Sequence, residues 1–369
     1  MKLKTVLKGA AGVFALTVGS ASAQMANDMT VVSWGGAYQS SQINAYFVPY
    51  QANTGVSVVW EEASPDAVAR LRAMAEANNL TWDLVDVEAA DAMRLCDEGL
   101  AMVIDHDTML APGADGTPAS ADFGATLASE CFIPQIVFST TFGYRTDMVP
   151  AGVEPPTDAC AVFDLDTYPG RRALNRRPIG NMEWALLCDG VPIEEVYDTL
   201  ETDEGVARAF AMLDKIKGQT IWWSAGAETP QLLADGEIFM GSTFNGRLFA
   251  AIAEQNQPIG MAWGYQMLDI DGWIVPTGLP EDRLARVMDF LYFGTDTQRL
   301  ADQAAYISYG PARASSAPFV GQHATLGIDM APHMPLDPAN SAGAFVTNYT
   351  WWADYRDEMD ARFQAWLAR

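Results

Sequence analysis

The sequence predicts an α/β protein of two lobes, joined by two crossover strands and separated by a cleft. Three observations predict it. Short β-branched apolar runs alternate with stretches of helical periodicity along most of the chain. A strand–helix–strand unit opens the series at 30–59. Two later apolar runs, 133–144 and 271–276, are placed to carry the chain out of one lobe and back. The 369 residues suffice for two cores. The expected division is 24–143 with 275–369 in lobe 1 and 144–274 in lobe 2. Hinge closure around a ligand suits such a layout.

Residues 1–23 stand apart. Lys2, Lys4 and Lys8 precede the apolar run AAGVFALTVG and then Ala21-Ser22-Ala23. That is the pattern of a secretory signal with a small-residue cleavage site, here expected after Ala23. No lipobox cysteine follows, and no later apolar run reaches bilayer-spanning length. A soluble exported protein is therefore expected.

Residues 30–34 form the first strand, and Gly35-Gly36 turns the chain where a side chain would obstruct close approach. Ile43, Tyr46, Phe47 and Tyr50 recur at helical spacing, and Pro49 has no amide hydrogen, so the helix is expected to kink or restart there. Gly55 suits the position past the helix end, before a strand at 56–60. Ser64-Pro65-Asp66 caps the next helix. A strand at 82–88, a helix at 89–98 closed by Gly99, and a Gly/Pro/Ser loop at 113–120 follow. In lobe 2 the expected strands are 170–174, 221–223, 237–242 and 261–263, with helices at 183–187, 202–217, from 229, and 246–254. Helices at 281–293, 297–305 and 351–367 complete lobe 1.

The formal charge is −25. Loss of Lys2, Lys4 and Lys8 with the leader lowers it by three, to −28. This argues against nucleic acid, whose partners carry a basic footprint. The surface would attract cations, but adaptation of an acidic proteome to salt explains the charge equally well. It therefore says nothing of the ligand. Four cysteines in an exported chain fit disulfides, with three pairings open. No C-x-x-C is present.

No G-x-S-x-G, Walker loop or H-E-x-x-H occurs. His106, His323 and His333 lack metal-ligand spacing. No metal, cofactor or catalytic residue is expected; the reading from another class is a secreted α/β hydrolase.

A strand ending in Ser-Trp-Gly-Gly-x-Tyr just after a signal peptide resembles the periplasmic solute-binding proteins of ABC importers. The branch it resembles is the spermidine/putrescine-binding one, which includes receptors for small amino zwitterions. TWDLVDVE at 81–88, the segment from Cys96 to Cys131, YPGRRAL at 168–174, IWWSAGAETPQLLADGE at 221–237, STFNGR at 242–247, DIDGWIVPTG at 269–278 and SYGPARAS at 308–315 carry the likeness, mainly through their order. It implies the type II strand order, periplasmic location, a monomer that hands its ligand to ABC permease subunits, and cleft contacts near Arg247 and Asp271. It also implies the bond Cys96–Cys131, taken here with Cys160–Cys188; a reduced, buried second pair is the alternative.

Trp34, Tyr38, Trp184, Trp222, Trp223, Trp273 and Tyr309 fall at or beside strand ends. A desolvated cation gains roughly 0.5–2 kcal/mol per aromatic face, at most about 6 kcal/mol from three. Micromolar binding needs about 8 kcal/mol net, so polar partners are required. Of Trp222 and Trp223, adjacent on a strand, at most one can face the cleft. Asp271 is the first choice for an ammonium partner. Glu62, Asp86, Glu88, Glu183 and Asp269 are candidates for a second cationic end. Arg247, in Asn245-Gly246-Arg247, can hold a carboxylate bidentately. Gly35 and Asn245 complete the expected site, and Thr229 offers helix-start amides. An inter-lobe salt bridge is the competing use of Arg247. Three ligand classes follow: a diamine such as putrescine, a zwitterion such as 4-aminobutyrate, and a methylated onium zwitterion such as glycine betaine or dimethylsulfoniopropionate held in an aromatic cage.

Overall fold

The structure, a computed structural model, describes residues 28–369. The signal sequence and its cleavage site after Ala23 lie outside the described residues. The first strand, β1 (Asp28–Ser33), runs parallel to β2 (Ser57–Glu62) and β3 (Leu84–Glu88). Between β1 and β2 the helix Gly36–Gln42 passes through a π-helical turn, Ile43–Phe47, and restarts as Val48–Thr54 with Pro49 in its first turn. The missing proline amide accounts for the restart. Gly55 ends the helix in the left-handed conformation, φ 72°.

Two long strands dominate the middle. They are β4 (Ile133–Arg145) and β8 (Ile259–Ile274), antiparallel to each other. The strands expected at 261–263 and 271–276 are thus one continuous strand. Tyr265, at φ 58°, marks its irregularity, and pairing slips between Thr140 and Phe142. Periodicity shows the two ends of such a strand and hides the bulge between them. The remaining strands, β5 (Arg172–Asn175), β6 (Thr220–Trp223) and β7 (Met240–Phe244), are joined by β5–β6 and β5–β7 parallel pairs. β7 starts three residues later than its pattern suggested.

The sheet order is β2-β1-β3-β8-β4-β7-β5-β6. Read from each edge, the two halves match. β8 lies beside β3 and β4 beside β7, each antiparallel to its neighbour. Each long strand therefore belongs to both halves. Short strands β9 (Gly310–Pro311) and β10 (Phe345–Val346) add to β4 and β8.

Helices cover both faces. Met29, Val31, Tyr46, Phe47, Trp273 and Phe290 form one core of the first half; Val32, Leu71, Trp82, Val87 and Phe132 form the other. In the second half, Leu174, Trp184, Leu186, Leu213 and Phe239 pack with Trp352, Phe363 and Trp366. The last three belong to the helix Tyr349–Leu367, capped by the Asn348 side chain. The sequence assigned this helix to the first half. It packs its tryptophans on the second half, yet reaches the first through Arg94–Asp357 (2.8 Å). Both expected disulfides are present, Cys96–Cys131 and Cys160–Cys188.

Candidate functional site

A cavity lies at the carboxyl ends of β1 and β3, against the middle of β4 and β8. Trp34, Tyr38, Glu88, Ile136, Phe138, Phe244, Arg247, Asp271 and Tyr309 line it. Strand register explains the floor. Glu88 is the cross-strand partner of Asp271, and Asp271 pairs with Ile136. Residues alternate in facing, so Phe138, two positions from Ile136, joins the same face. Trp34 follows β1 directly. Gly35 takes φ 69° and ψ −177°, a conformation essentially reserved for glycine, and turns the chain into the helix that presents Tyr38.

Below the floor, Asp86 is fully buried. It accepts from the Tyr38 hydroxyl (3.0 Å) and from Gln42 Nε2; Tyr38 and Gln42 also donate to Gln135 (2.7 and 2.9 Å). Burial pushes the Asp86 carboxyl up to about 6, against hydrogen bonds that favour its charged form. Burial, followed by the charge of Asp86, raises Asp271 well above the ordinary carboxylate range. Glu88 is raised by burial and held back by Arg177, which donates to it at 3.0 Å. Asp269 is raised by burial and by Glu88. Four carboxyl groups thus crowd one stretch of sheet, with one of them matched by an arginine. A site of this kind favours a bound cation or retained protons.

Arg247 faces this cluster from the helix Asn245–Phe249 and is 7 % exposed. Its guanidinium lies 5.7 Å from the Phe244 ring. Nη2 donates long hydrogen bonds to the carbonyls of Trp34 and Gly35, both 3.4 Å. Nε has no partner, and among the described residues the guanidinium makes no ion pair. The expected competing salt bridge is absent from that set. A desolvated guanidinium so placed is suited to a carboxylate.

The other expected site residues are placed as follows. Gly35 and Glu62 flank the turn: a Cβ on Gly35 would lie 2.6 Å from the exposed Glu62 carboxylate. Asp86 acts from beneath. Trp184 and Asp269 line an adjoining cavity. Trp273 is a correction. It shares the Asp271 face but lies one step deeper, closed over by Tyr46 and Phe290 (centroids 5.4 Å each). Trp223 is buried edge-on to Phe244, and Trp222 packs on Phe363 and Trp366, so neither lines the cavity. Glu183 is a fully buried helix-start residue, accepting from Gly180 N (2.8 Å), Tyr197 (3.1 Å) and Trp352 (2.7 Å). Asn245 ties Ser139 N (3.0 Å) to the Ser308 carbonyl (2.6 Å) and supports its neighbour Arg247. Thr229 is buried inside the helix Glu228–Ala234.

Sequence reading missed Ile136, Phe138, Phe244, Gln42, Gln135 and Arg177. Alternate positions in the run 133–144 pointed to Phe138; nothing pointed to Gln42. The three histidines lie away from the cavity: His106 faces the Phe132 carbonyl (2.9 Å), His323 lies by Glu254, and His333 by Phe249. Among the described residues no His, Cys, Asp and Glu cluster could hold a metal. No helix there is long and apolar enough to cross a membrane.

Residues 45–335 match the family of bacterial extracellular solute-binding proteins. The chain belongs to that family. This solute-binding protein is 33 % identical to a gamma-aminobutyric acid-binding protein of Pseudomonas aeruginosa, over 96 % of this chain and 95 % of the relative. A solved GABA receptor is 30 % identical, with TM-score 0.76, over 93 % and 98 % of the two chains. The PBP AgtB from A. tumefaciens R10, solved with agropinic acid, is 27 % identical with TM-score 0.77, over 93 % and 99 %. The fold is the type II periplasmic binding-protein fold, and the protein is a solute binder and not an enzyme.

Proposed function

We propose that this protein captures a small zwitterionic amine of the 4-aminobutyrate type in the periplasm and delivers it to ABC permease subunits. One observation carries the reading. Arg247, buried and without a carboxylate partner among the described residues, shares a cavity with Asp271 and Glu88. An ammonium group satisfies the acid cluster and a carboxylate satisfies the guanidinium. A diamine leaves Arg247 unmatched. A methylated onium cannot donate N–H bonds to the carboxylates, although Trp34, Tyr38, Phe138, Phe244 and Tyr309 offer faces. The gamma-aminobutyric acid-binding relative supports the same choice.

The ligand-binding set is Trp34, Tyr38, Glu88, Arg247, Asp271 and Tyr309, with Gly35 and Asp86 in support. Lobes 24–143 with 275–369 and 144–274 close over it as a monomer, hinged where β4 and β8 cross, with export by residues 1–23. Titration calorimetry tests this with 4-aminobutyrate, putrescine, spermidine, glycine betaine and dimethylsulfoniopropionate. Tight binding of 4-aminobutyrate with weak or no putrescine binding is expected. Putrescine binding more tightly than 4-aminobutyrate would reject the role of Arg247.

A further inference from the structure

An acidic protein draws in a dication more strongly than a neutral zwitterion, and this chain carries a formal charge of −25. Selection against a diamine therefore falls to the site itself. Two pairs of carboxyl groups lie along one face of the sheet there. Glu88 is the cross-strand partner of Asp271, so Asp86 stands diagonal to Asp271, and Glu88 diagonal to Asp269. Asp269 and Asp271 are two residues apart on β8, a step of ~7 Å. An extended putrescine places its two nitrogens roughly 6 Å apart by standard bond lengths. Glu88, Phe138 and Phe244 line both the main cavity and the adjoining one, so the methylenes between two such ends would have an apolar bed.

The second pair already has its cation. Arg177 Nη2 donates to Glu88 at 3.0 Å, and Arg177 lines the adjoining cavity with Asp269. Among the described residues that line it, Arg177 alone is basic. Asp91 and Asp360 also act on its charge. The residue stands between β5 and the helix Asn181–Cys188, and it reaches across to Glu88 at the end of β3. Its backbone is tied on both sides. The N–H donates to Asn175 Oδ1 (3.0 Å), and the carbonyl accepts from Asn181 Nδ2 (2.7 Å). A guanidinium held in this way does not give up its place without leaving Glu88 unmatched.

We infer that Arg177 occupies the place of a diamine's second ammonium and is the residue that makes this receptor refuse diamines and polyamines. The inference rests on the zwitterion reading above and supplies its repulsive half. Arg247 attracts a carboxylate, whereas Arg177 turns away a second cation.

Titration calorimetry on the full chain compares putrescine with 4-aminobutyrate in the native protein, Arg177→Met, Arg177→Lys and the double variant Arg177→Met with Asp269→Asn. The first ammonium of either ligand meets the freed Glu88 alike, so the ratio of the two affinities isolates the second end. In Arg177→Met that ratio should move toward putrescine by about tenfold or more. In Arg177→Lys, which keeps the charge, it should stay within about threefold of native. Adding Asp269→Asn should take the gain of the methionine variant away. Where ligand-free thermal unfolding shows that the methionine variant does not fold, Arg177→Gln, which keeps a donor for Glu88, carries the same expectation. A ratio unmoved in the neutral variants, an equal shift in Arg177→Lys, or a gain that survives Asp269→Asn overturns the inference; the zwitterion reading then stands as long as the native protein prefers 4-aminobutyrate. A native protein that prefers putrescine removes both.

Discussion

Replacing Arg247 with Met should make the ligand-free protein more stable and the receptor blind. The side chain is 7 % exposed, has two hydrogen bonds of 3.4 Å and lacks an ion pair among the described residues. Methionine keeps the stem's length and removes a charge that the surroundings do not match. Replacement of buried ionic groups by apolar ones of similar volume stabilises by about 1–4 kcal/mol. The long hydrogen bonds already in place argue for the lower part, about 1–3 kcal/mol. Unfolding entropy near 2 cal/mol/K per residue gives on the order of 0.7 kcal/mol per kelvin for a chain of this length. The ligand-free Tm should therefore rise by about 1–4 °C. Binding should move the other way. Loss of one partner in a desolvated charge pair weakens association by about 2–5 kcal/mol, roughly 30- to 4000-fold. Thermal scans without ligand, together with calorimetric titration of 4-aminobutyrate, read both effects. A variant with a lower ligand-free Tm and undiminished affinity would show that Arg247 braces the cleft and does not receive the ligand.

Three further outcomes are expected. Asp86, raised to about 6, and Asp271, raised well above the ordinary carboxylate range, bind more protons folded than unfolded, so ligand-free stability should fall as pH climbs from that range through about 6. An ammonium ligand favours the ionised pair, so affinity should rise over that window and binding should release protons, seen as buffer-dependent heats. Trp352→Phe removes one of three donors to buried Glu183 and should cost about 1–3 kcal/mol in urea unfolding, with ligand affinity unchanged. Gly35→Ala forces a side chain into φ 69° and against Glu62, and should cost about 1–3 kcal/mol and weaken binding together.

Local signals carried much of the fold. Gly55, Gly99 and Pro49 marked boundaries because each acts through its own backbone chemistry. The β8 strand was legible only in pieces, since a bulge at Tyr265 breaks the alternation that defines a strand. For the site, charged and aromatic candidates fared alike: Glu88, Arg247 and Asp271 line the cavity with Trp34, Tyr38 and Tyr309. Asp271, Glu88 and Arg247 meet at the cavity because strand ends and a helix start converge there. Tryptophan is ambiguous: Trp34 is half-buried beside the cavity, whereas Trp273 sits two positions from Asp271 and is sealed in the core. Depth along a strand depends on which helix covers it, and no local pattern encodes that. The helix Tyr349–Leu367 touches both halves, its tryptophans on the second and its flank on the helix Ala89–Asp97 of the first, and that is likewise a long-range outcome.

The reciprocal loan of strands has a consequence for how the molecule is made. The first half cannot complete its sheet until residues 259–274 have arrived, and the second depends on 133–145 contributed earlier. Cutting the chain between halves would strip each fragment of a central member and expose unpaired edges to aggregation. Assembly must therefore await the distal chain, so the nascent polypeptide spends its early life without a finished domain.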